Sequence, residues 1–306
     1  MEETFEARVI AAFGRHLLVQ DASGRSLKAR PFGRALTAVC GDEVRCQHDT
    51  RHNQVHVLQV LPRRNALYRS TLRGTSEAVV ANLTQLLVVL APLPVPDLFV
   101  LDRYLAAAAS AGLPASLIVN KADLTLDAGL CAELAVYAQL GVRQVACSAR
   151  SGDGLAGLEE ILSAAVSALV GQSGVGKSSL VQRLIPDAEV EIGGLMREQE
   201  GRHTTAASRM FALRGGGCLI DSPGVRDFAP AIDHLEAHTL GFPEVARLAP
   251  QCRFLDCRHL REPRCAVRDA VESGDMHPRR YESYRRLRRL KEELTQARGP
   301  QRTGAR

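Results

Sequence analysis

Residues 171–178 read GQSGVGKS and match the phosphate-binding pattern G-x-x-x-x-G-K-[ST]. Glycines at these positions let backbone N–H groups approach phosphate oxygens, and the start of the following helix adds positive potential. In this pattern Lys177 reaches the β- and γ-phosphates and Ser178 binds Mg²⁺. A strand-like run precedes the segment and a helical run follows it, which favours a nucleoside triphosphate site over a chance glycine-rich turn. The predicted phosphate-loop residues are Gly171, Gln172, Ser173, Gly174, Val175, Gly176, Lys177, Ser178 and Ser179.

Residues 120–123 read NKAD and precede the phosphate loop in the chain. The carboxylate of Asp123 can accept hydrogen bonds from N1–H and the exocyclic amine of guanine, and adenine offers no matching pair. Asn120 can bond the other edge of the base and tie loops together, while the stem of Lys121 can cover the base. The CSA segment that ends the next predicted strand is a second base-contacting candidate. The predicted base contacts are Asn120, Lys121, Asp123, Ser148 and Ala149.

Two further strings are candidates for sensing the γ-phosphate. DSPG at residues 221–224 follows an apolar run, which predicts that Asp221 holds Mg²⁺ through water and that the Gly224 N–H faces the γ-phosphate. A turn aspartate before Pro-Gly is the alternative. GRHTT at residues 201–205 lies in a polar stretch, and a threonine there can complete the Mg²⁺ shell. We favour Thr205 for this role over Thr204.

The order of these strings (base, base, phosphate, switch, switch) resembles that of the circularly permuted GTPases. The match is closest to the ribosome-small-subunit-dependent GTPase A family (RsgA, also called YjeQ). GQSGVGKSSL, GRHTT, DSPG followed by RDF, and a C-terminal Cys/His cluster carry this resemblance across nearly the whole chain. It implies an N-terminal oligonucleotide-binding barrel, a permuted GTPase domain and a zinc domain. It also implies a bacterial protein that binds the small ribosomal subunit late in maturation.

The chain differs from the family's common switch string at one position and from Ras-like enzymes at another. The switch string reads GRHTTA, where the family often has a third threonine. Val225 follows DSPG, where Ras-like enzymes carry a water-orienting glutamine, and this apolar residue is itself usual in the family. It implies slow intrinsic hydrolysis. The resemblance makes His203 the candidate for placing the water, against a loop histidine with no role. The predicted catalytic residues are His203, Thr205 and Lys177.

The C-terminal cysteines form the pattern C-x4-C-x-H-x5-C, and Cys₃His is an accepted structural zinc set. A small segment without strands needs a cross-link, such as a bound metal ion, to hold its fold, and this favours zinc over free thiols. The predicted zinc ligands are Cys252, Cys257, His259 and Cys265. The remaining cysteines are predicted to be core residues, namely Cys40, Cys46, Cys131, Cys147 and Cys218.

The elements that position these residues fall into three predicted domains. Residues 1–65 contain closely spaced strand runs and predict a small β-barrel, of the oligonucleotide-binding (OB) type or the SH3-like type. Within the chain that follows, residues 61–77 are polar and turn-rich and are interpreted as a linker. Residues 66–230 alternate strands and helices, which indicates an α/β domain with a parallel sheet covered on both faces. Residues 231–306 have no strand pattern and predict a mostly helical zinc domain with a basic C-terminal helix.

Charge is distributed unevenly along the chain of 306 residues. Residues 1–70 carry 11 Lys and Arg against 7 Asp and Glu, residues 71–230 carry 12 against 16, and residues 231–306 carry 16 against 11. The basic ends suggest contact with a polyanion, although an uneven solvated surface is the alternative. The basic run of the last helix, with Tyr281 and Tyr284 as stacking faces, suggests RNA contact. Packing of that helix through Leu287, Leu290 and Leu294 is the alternative, and opposite faces can serve both purposes.

Composition places the chain among globular proteins, with 45% hydrophobic and 24% charged residues. The N-terminus lacks the pattern of a signal peptide, and no apolar run is long and unbroken enough to span a bilayer. We therefore expect a cytoplasmic protein without a membrane partner, in which the cysteines are reduced. In the absence of heptads we expect a monomer.

These observations predict an enzyme that hydrolyses GTP to GDP and phosphate and is stimulated by the small ribosomal subunit. Its partners would be that subunit and its rRNA, and its cofactors one structural zinc and the magnesium bound with GTP. Three alternatives stay open. The chain could be a GTP-binding RNA scaffold with negligible hydrolysis, or a P-loop ATPase or small-molecule kinase in which NKAD is accidental. The basic ends could also be protein-binding modules.

Overall fold

The N-terminal residues form a closed five-stranded barrel. The computed structural model of the protein describes residues 4–33, 35–49, 52, 54–71, 75–185, 208–222 and 229–298. The barrel strands are β1 (Thr4–Phe13), β2 (His16–Asp21), β3 (Ser26–Pro31), β4 (Glu43–Asp49) and β5 (Gln54–Val60). The strand order β1-β2-β3-β5-β4 returns to β1, and β3 runs parallel to β5. This Greek-key order agrees with the OB-like prediction.

The prediction that residues 61–77 form a linker is wrong in part, because this stretch contains strands. β6 (Ala66–Ser70) pairs antiparallel with β7 (Ser76–Ala81). Leu67 and Val80 face each other in this hairpin, and both side chains are buried in the neighbouring core. The polar and basic composition concealed the strands, since only one face of the hairpin is apolar.

The α/β part is built on a mostly parallel sheet. Its strands are β8 (Gln85–Leu90), β9 (Ala115–Val119), β10 (Arg143–Ala146), β11 (Val166–Gly171), β12 (Ser208–Ala212) and β13 (Cys218–Asp221). The spatial order is β10-β9-β8-β11-β13-β12, and β12 runs antiparallel to β13. The phosphate-loop strand β11 therefore lies mid-sheet although β8, β9 and β10 precede it in the chain, as a circular permutation requires.

Helices cover both faces of this sheet, as predicted. They are α1 (Leu98–Ser110), α2 (Ala128–Gln139), α3 (Leu155–Leu162) and α4 (Lys177–Leu184). Successive residues of β8 point to opposite faces. Leu86 and Val88 join the core that includes residues of α1 and α2, while Leu87 and Val89 join the core that includes residues of α3 and α4.

The runs DRYLAAAASAG (102–112) and GLAGLEEILSAAV (154–166) predict helices in the sequence, but the structure begins α1 earlier and ends α3 earlier. The Asp97 carboxylate accepts hydrogen bonds from the Phe99 and Val100 N–H groups and so starts α1 earlier. Helix α3 ends at Leu162, and Ala164 adopts a φ of 57° before β11 begins. The prediction that Cys131 is a core residue is also wrong, because its side chain is exposed on α2.

The barrel and the α/β sheet are joined edge to edge. Strand β12 pairs antiparallel with β1 through Ala11–Arg209 and Ala12–Ser208, so the strands of both parts form one continuous sheet. The guanidinium of Arg209 also lies 5.3 Å from the centre of the Phe13 ring. The strand that follows the GRHTT string is thus shared between the two domains.

The C-terminal residues fold as a helical module. It contains α5 (Pro243–Leu248), α6 (Ala266–Ser273) and α7 (Pro278–Arg298), with short 3-10 turns at Ile232–His234 and Ala249–Gln251. Its core surrounds Phe242, Val245 and Tyr284, which are almost fully buried. In the described part of the chain, no helix is both long and apolar enough to cross a membrane.

A buried ionic cluster joins this module to the α/β domain. The Asp102 carboxylate on α1 is fully buried and accepts hydrogen bonds from Arg279 and Arg280 on α7, both at 2.6 Å. Arg280 also donates to both carboxylate oxygens of Glu244, at 2.7 and 3.0 Å. The Tyr137 hydroxyl donates to Asp102 at 2.6 Å. Each buried charge has an opposite partner, which is the condition under which such burial is tolerated.

This packing corrects the expectation that Tyr284 is a stacking face for RNA and occupies part of the basic run of α7, while the side chains of Arg286 and Arg289 are exposed. Arg288 donates to the Ala237 and His238 carbonyls, and Lys291 donates to the Leu235 carbonyl at 2.5 Å. Tyr284 has no exposed surface and cannot stack on a base. On this face α7 packs through apolar side chains, as the alternative interpretation predicted, because Leu287 is fully buried in the module core.

Candidate nucleotide and zinc sites

The phosphate loop connects the end of β11 to the first turn of α4. Gly171 has a φ of 145°, and a Cβ there would lie 2.1 Å from the Val89 carbonyl oxygen. Gly176 has a φ of 96°, and a Cβ there would lie 2.2 Å from the Asn120 Nδ2 atom. Both positions therefore require glycine. The Lys177 ammonium is buried at the centre of the loop and donates to the Gly171 and Gln172 carbonyls at 2.8 and 2.7 Å.

Asn120 and Lys121 tie this loop to its neighbours. The Asn120 side chain is 1% exposed, donates to the Val175 carbonyl at 2.8 Å and accepts from the Ala149 N–H at 3.1 Å. The Lys121 ammonium donates to the Gly174 carbonyl at 2.8 Å and to the Leu93 carbonyl at 2.7 Å. The NKAD, CSA and phosphate loops therefore meet at one edge of the sheet, because β9, β10 and β11 are parallel.

A cavity of about 770 Å³ lies at this meeting point. Its lining joins the NKAD loop to the start of α4 and consists of Asn120, Lys121, Asp123, Leu124, Ala149, Arg150, Gly176, Ser179, Gln182 and Arg183. The Ser148 hydroxyl donates to Asp123 at 2.6 Å, and this hydrogen bond holds the pKa of the Asp123 carboxyl below its usual value. At neutral pH the cavity thus presents an ionised carboxylate, which can only accept hydrogen bonds.

Sequence reasoning missed four of these lining residues. Leu124 directly follows NKAD, Arg150 directly follows the CSA segment, and Gln182 and Arg183 lie near the end of α4. Arg183 comes close to the loop after CSA, since a Cβ on Gly152 would lie 3.1 Å from its guanidinium. Because Arg150 directly follows a predicted base-contacting segment, its position could have indicated that it lines this cavity. Nothing in the sequence linked the end of α4 to the cavity.

The Cys/His cluster brings its four ligand atoms within 4.8 Å of one another. The Cys252 and Cys265 sulfurs lie 4.0 Å apart, and the His259 Nδ1 atom lies 3.5 and 3.4 Å from them. Tetrahedral zinc with ordinary bond lengths requires about 3.8 Å between sulfurs and about 3.5 Å between sulfur and nitrogen. The donor set and its spacing therefore fit zinc. The Tyr281 hydroxyl donates to the His259 carbonyl at 2.7 Å and helps to fix this ligand.

Comparison with known proteins agrees with this geometry. The family model described as RsgA GTPase matches residues 60–230, which is more than half of the chain. The chain belongs to the RsgA GTPase family.

Relatives named small ribosomal subunit biogenesis GTPase RsgA match far beyond that region. The protein from Azotobacter vinelandii is 42% identical over 289 residues, covering 91% of this chain and 83% of its own length. The protein from Pseudomonas aeruginosa strain PAO1 is 41% identical over 287 residues, covering 92% and 84%. Membership of the RsgA GTPase family gives no support to the ATPase or kinase alternative.

Solved structures support the same fold. The crystal structure of YjeQ from Thermotoga maritima superposes with a TM-score of 0.70 at 26% identity, covering 94% of this chain and 99% of that one. The structure of YloQ, described as a circularly permuted GTPase, also gives a TM-score of 0.70, at 24% identity and with 96% of each chain covered. The permuted sheet order is therefore shared with other solved proteins.

The remaining RsgA-type residues predicted from the sequence divide into two groups. Ser178 lies in the first turn of α4, and Asp221 ends β13, the strand beside β11, so both lie at the same sheet edge. The Ser222 hydroxyl lies 2.5 Å from that of Ser208, which links the DSPG string to β12. The amide oxygen of Gln172 accepts from the Asp97 N–H at 3.0 Å. Outside the described residues lie His203, Thr204, Thr205, Gly224 and Val225.

Proposed function

We propose that this protein hydrolyses GTP on the small ribosomal subunit, and that hydrolysis drives late maturation of the subunit or release of the protein from it. The names of the high-coverage relatives support the ribosomal part of this proposal. One observation carries the nucleotide part. Asp123 lines the same cavity as Gly176, and Asn120 bonds the Val175 carbonyl, so the base-reading and phosphate loops act on a single ligand.

In this proposal the base and the phosphates are held by different loops. Asp123 accepts from the guanine N1–H and amine, the Ala149 N–H faces the guanine carbonyl, and Asn120, Lys121 and Ser148 keep these loops in place. The phosphate-loop N–H groups and Lys177 bind the phosphates. Ser178 and Thr205, with Asp221 acting through water, would hold magnesium, which would supply positive charge that offsets that of the phosphates. Gly224 senses the γ-phosphate, and His203 places the attacking water.

The expected kinetic signature is activation by the subunit. Because Val225 cannot orient water, we expect slow turnover by the protein alone and turnover faster by about tenfold or more with purified small subunits. Steady-state phosphate release with GTP and with ATP, each with and without subunits, measures this. Equal GTP rates with and without subunits would contradict the coupling. A scaffold instead predicts no hydrolysis in a single turnover on the subunit.

After the DSPG string, the described chain resumes at Ala229 and enters the C-terminal module. Arg103 on α1 donates to the Pro230 carbonyl at 2.9 Å, and the Ala231 N–H donates to the Tyr68 carbonyl at 2.8 Å. The Tyr68 ring stacks on His234 with 3.7 Å between ring centres. The chain therefore enters the module through a segment fixed on two sides. We propose that a change in the DSPG loop on hydrolysis is passed along this segment to the parts that hold RNA.

The remaining parts of the proposal concern location and organisation. We propose that residues 1–65, 66–230 and 231–306 act as barrel, GTPase and zinc domains, with rRNA contacted by the two basic ends. We also propose a cytoplasmic monomer that exchanges GTP and GDP, supported by the absence of a heptad pattern in the sequence. Salt-dependent binding to isolated rRNA would separate this from the view that the ends are protein-binding modules.

We propose that Cys252, Cys257, His259 and Cys265 hold one structural zinc. Replacement of Cys257 by serine, or treatment with a strong chelator, should reduce bound zinc from one equivalent to none and unfold the module. The reason is that metal binding supplies much of the folding free energy of such small segments. Metal analysis and circular dichroism measure these changes. Cys131→Ser is the matched control, because that thiol is exposed and remote in sequence, and its zinc content should stay at one. Zinc retained by Cys257→Ser would refute the site.

A further inference from the structure

The zinc loop presents two adjacent apolar side chains to solvent. Leu255 is 103% exposed and Phe254 is 40% exposed. We call Arg253, Phe254 and Leu255 the zinc-loop tip. These side chains place apolar surface beside charged residues, and an apolar patch rimmed by polar residues can serve as an interaction site.

The tip is held in a defined conformation. Cys252 and Cys257 of the Cys/His cluster bracket it, so only four residues lie between two candidate ligands. The Arg253 N–H donates to the Arg264 carbonyl at 3.3 Å, and the Cys257 N–H donates to the Phe254 carbonyl at 3.2 Å. A side chain displayed by such a short closed loop loses little conformational entropy on binding.

The charge around the tip is positive. The side chains of Arg253, Arg261 and Arg264 are exposed, and no carboxylate in the described residues forms an ion pair with any of them. The Arg253 guanidinium lies 5.4 Å from the centre of the Phe254 ring. Asp256 is the exposed acidic residue within the same loop.

The nearby Glu262 does not offset this charge through ion pairs. Its carboxylate accepts hydrogen bonds from the backbone N–H groups of Arg258, Leu260 and Arg261, at 3.1, 2.9 and 3.0 Å. Partial burial opposes ionisation, but these backbone donors outweigh it and lower the pKa of Glu262 to about 2. Glu262 thus shapes the loop without forming an ion pair with Arg253, Arg261 or Arg264.

We propose that the zinc-loop tip stacks on an unpaired RNA base, while the flanking arginines contact the adjacent phosphates. This inference rests on the proposed function for the identity of the RNA as rRNA. An aromatic ring beside planar cations is the arrangement that recognises single-stranded RNA, whereas duplex RNA is recognised through its backbone. Charge complementarity favours this partner. In α7, Arg279, Arg280 and Arg288 make internal contacts, and in the zinc loop Arg258 pairs with Glu292. Arg253, Arg261 and Arg264 form no ion pair among the described residues and so remain for an external anion.

The test uses the full zinc-loaded protein and three probes. These are a fluorescent single-stranded RNA of mixed sequence, a duplex RNA of equal length, and purified small subunits. Phe254→Ala should weaken binding to the single strand by about 5- to 150-fold, the range expected for loss of one stacked base. Phe254→Tyr keeps the ring and should bind as the wild type does. Arg261→Ala should reduce the salt dependence of binding, and Arg247→Ala, an exposed arginine on α5, should leave it unchanged.

The outcomes separate this inference from the proposed function. Zinc content and GTP turnover without subunits should be equal in all variants, which excludes misfolding as the cause of weaker binding. If Phe254→Ala left the affinity for single-stranded RNA unchanged, the proposed role of the zinc-loop tip would be overturned, even if subunits still stimulated hydrolysis. A Phe254→Ala loss seen with subunits but not with RNA would assign the tip to a protein partner and also overturn it. Subunits that neither bind nor stimulate the wild type would defeat the proposed function alone.

Discussion

Exchanging Asp123 for asparagine is expected to weaken GTP binding by about 10²- to 10⁴-fold. The carboxylate can accept two hydrogen bonds from guanine, and a hydrogen bond to a charged group contributes about 1.5–3 kcal/mol. An amide offers one acceptor and one donor, so the donor would face the guanine amine. Xanthine carries a carbonyl at that position, and the variant should therefore bind xanthine nucleotides better than the wild type does. Calorimetric titration with GDP, XDP and ADP measures all three affinities.

The matched control for this change is Asp127→Asn. Asp127 caps α2 by accepting from the Leu130 N–H at 2.9 Å, and asparagine is an equally good cap. It removes the same charge at a nearby position without touching the cavity, so its guanine affinity should equal that of the wild type. If Asp123→Asn retained full affinity for GDP, or if the wild type bound ADP as tightly, the cavity would not be the guanine site.

Replacing Asp102 by alanine is expected to lower the free energy of unfolding by about 3–5 kcal/mol. The substitution removes a fully buried carboxylate and leaves the Arg280 guanidinium, itself 3% exposed, with Glu244 as its remaining carboxylate partner in the described cluster. Removing one partner of a buried ion pair costs far more than removing one partner of a surface pair. Here the interior N–H groups of Arg279 and Arg280 that donated to Asp102 lose their acceptor. Urea denaturation followed by circular dichroism measures the loss. The α/β domain and the helical module should also unfold in separate transitions.

Glu133→Ala is the control at the edge of the same cluster. Its carboxylate is 22% exposed and contacts Arg279 alone, so its removal should cost about 1 kcal/mol or less. If Asp102→Ala cost no more than Glu133→Ala, the buried cluster would not be what joins the two domains. Intact stability together with lost subunit-stimulated hydrolysis would instead assign the cluster to coupling.

The phosphate loop, NKAD and the Cys/His pattern could be found from the sequence because each is a short contiguous signal. The glycines at 171 and 176 are required by local backbone conformation, which a string of eight residues can reveal. Alternating strands and helices likewise predicted a covered parallel sheet, since burial periodicity is local. The boundaries of α1 and α3 were less accurate, because caps such as Asp97 and turns such as Ala164 depend on single residues.

The hairpin β6–β7 shows where local reasoning failed. Its polar residues give this segment the composition of a linker. The structure identifies it as a hairpin with one apolar face, since Leu67 and Val80 pack into the neighbouring core. The same holds for Gln182 and Arg183, which line the cavity beside the NKAD loop because α4 passes beside the loop after β10. No spacing in the chain connects these residues to that cavity.

By itself the sequence identified the residue types of the candidate sites: a phosphate loop, an acidic residue that can accept hydrogen bonds from guanine, a Cys₃His set and the permuted order that links them. Tertiary structure decided how the charges of α7 are used. Arg280 lies 178 residues from its partner Asp102, and Tyr284 is enclosed by its module. A basic helix has the same sequence pattern whether its arginines face water or buried carboxylates. The choice depends on whether distant segments supply a partner that offsets the cost of removing the charge from water.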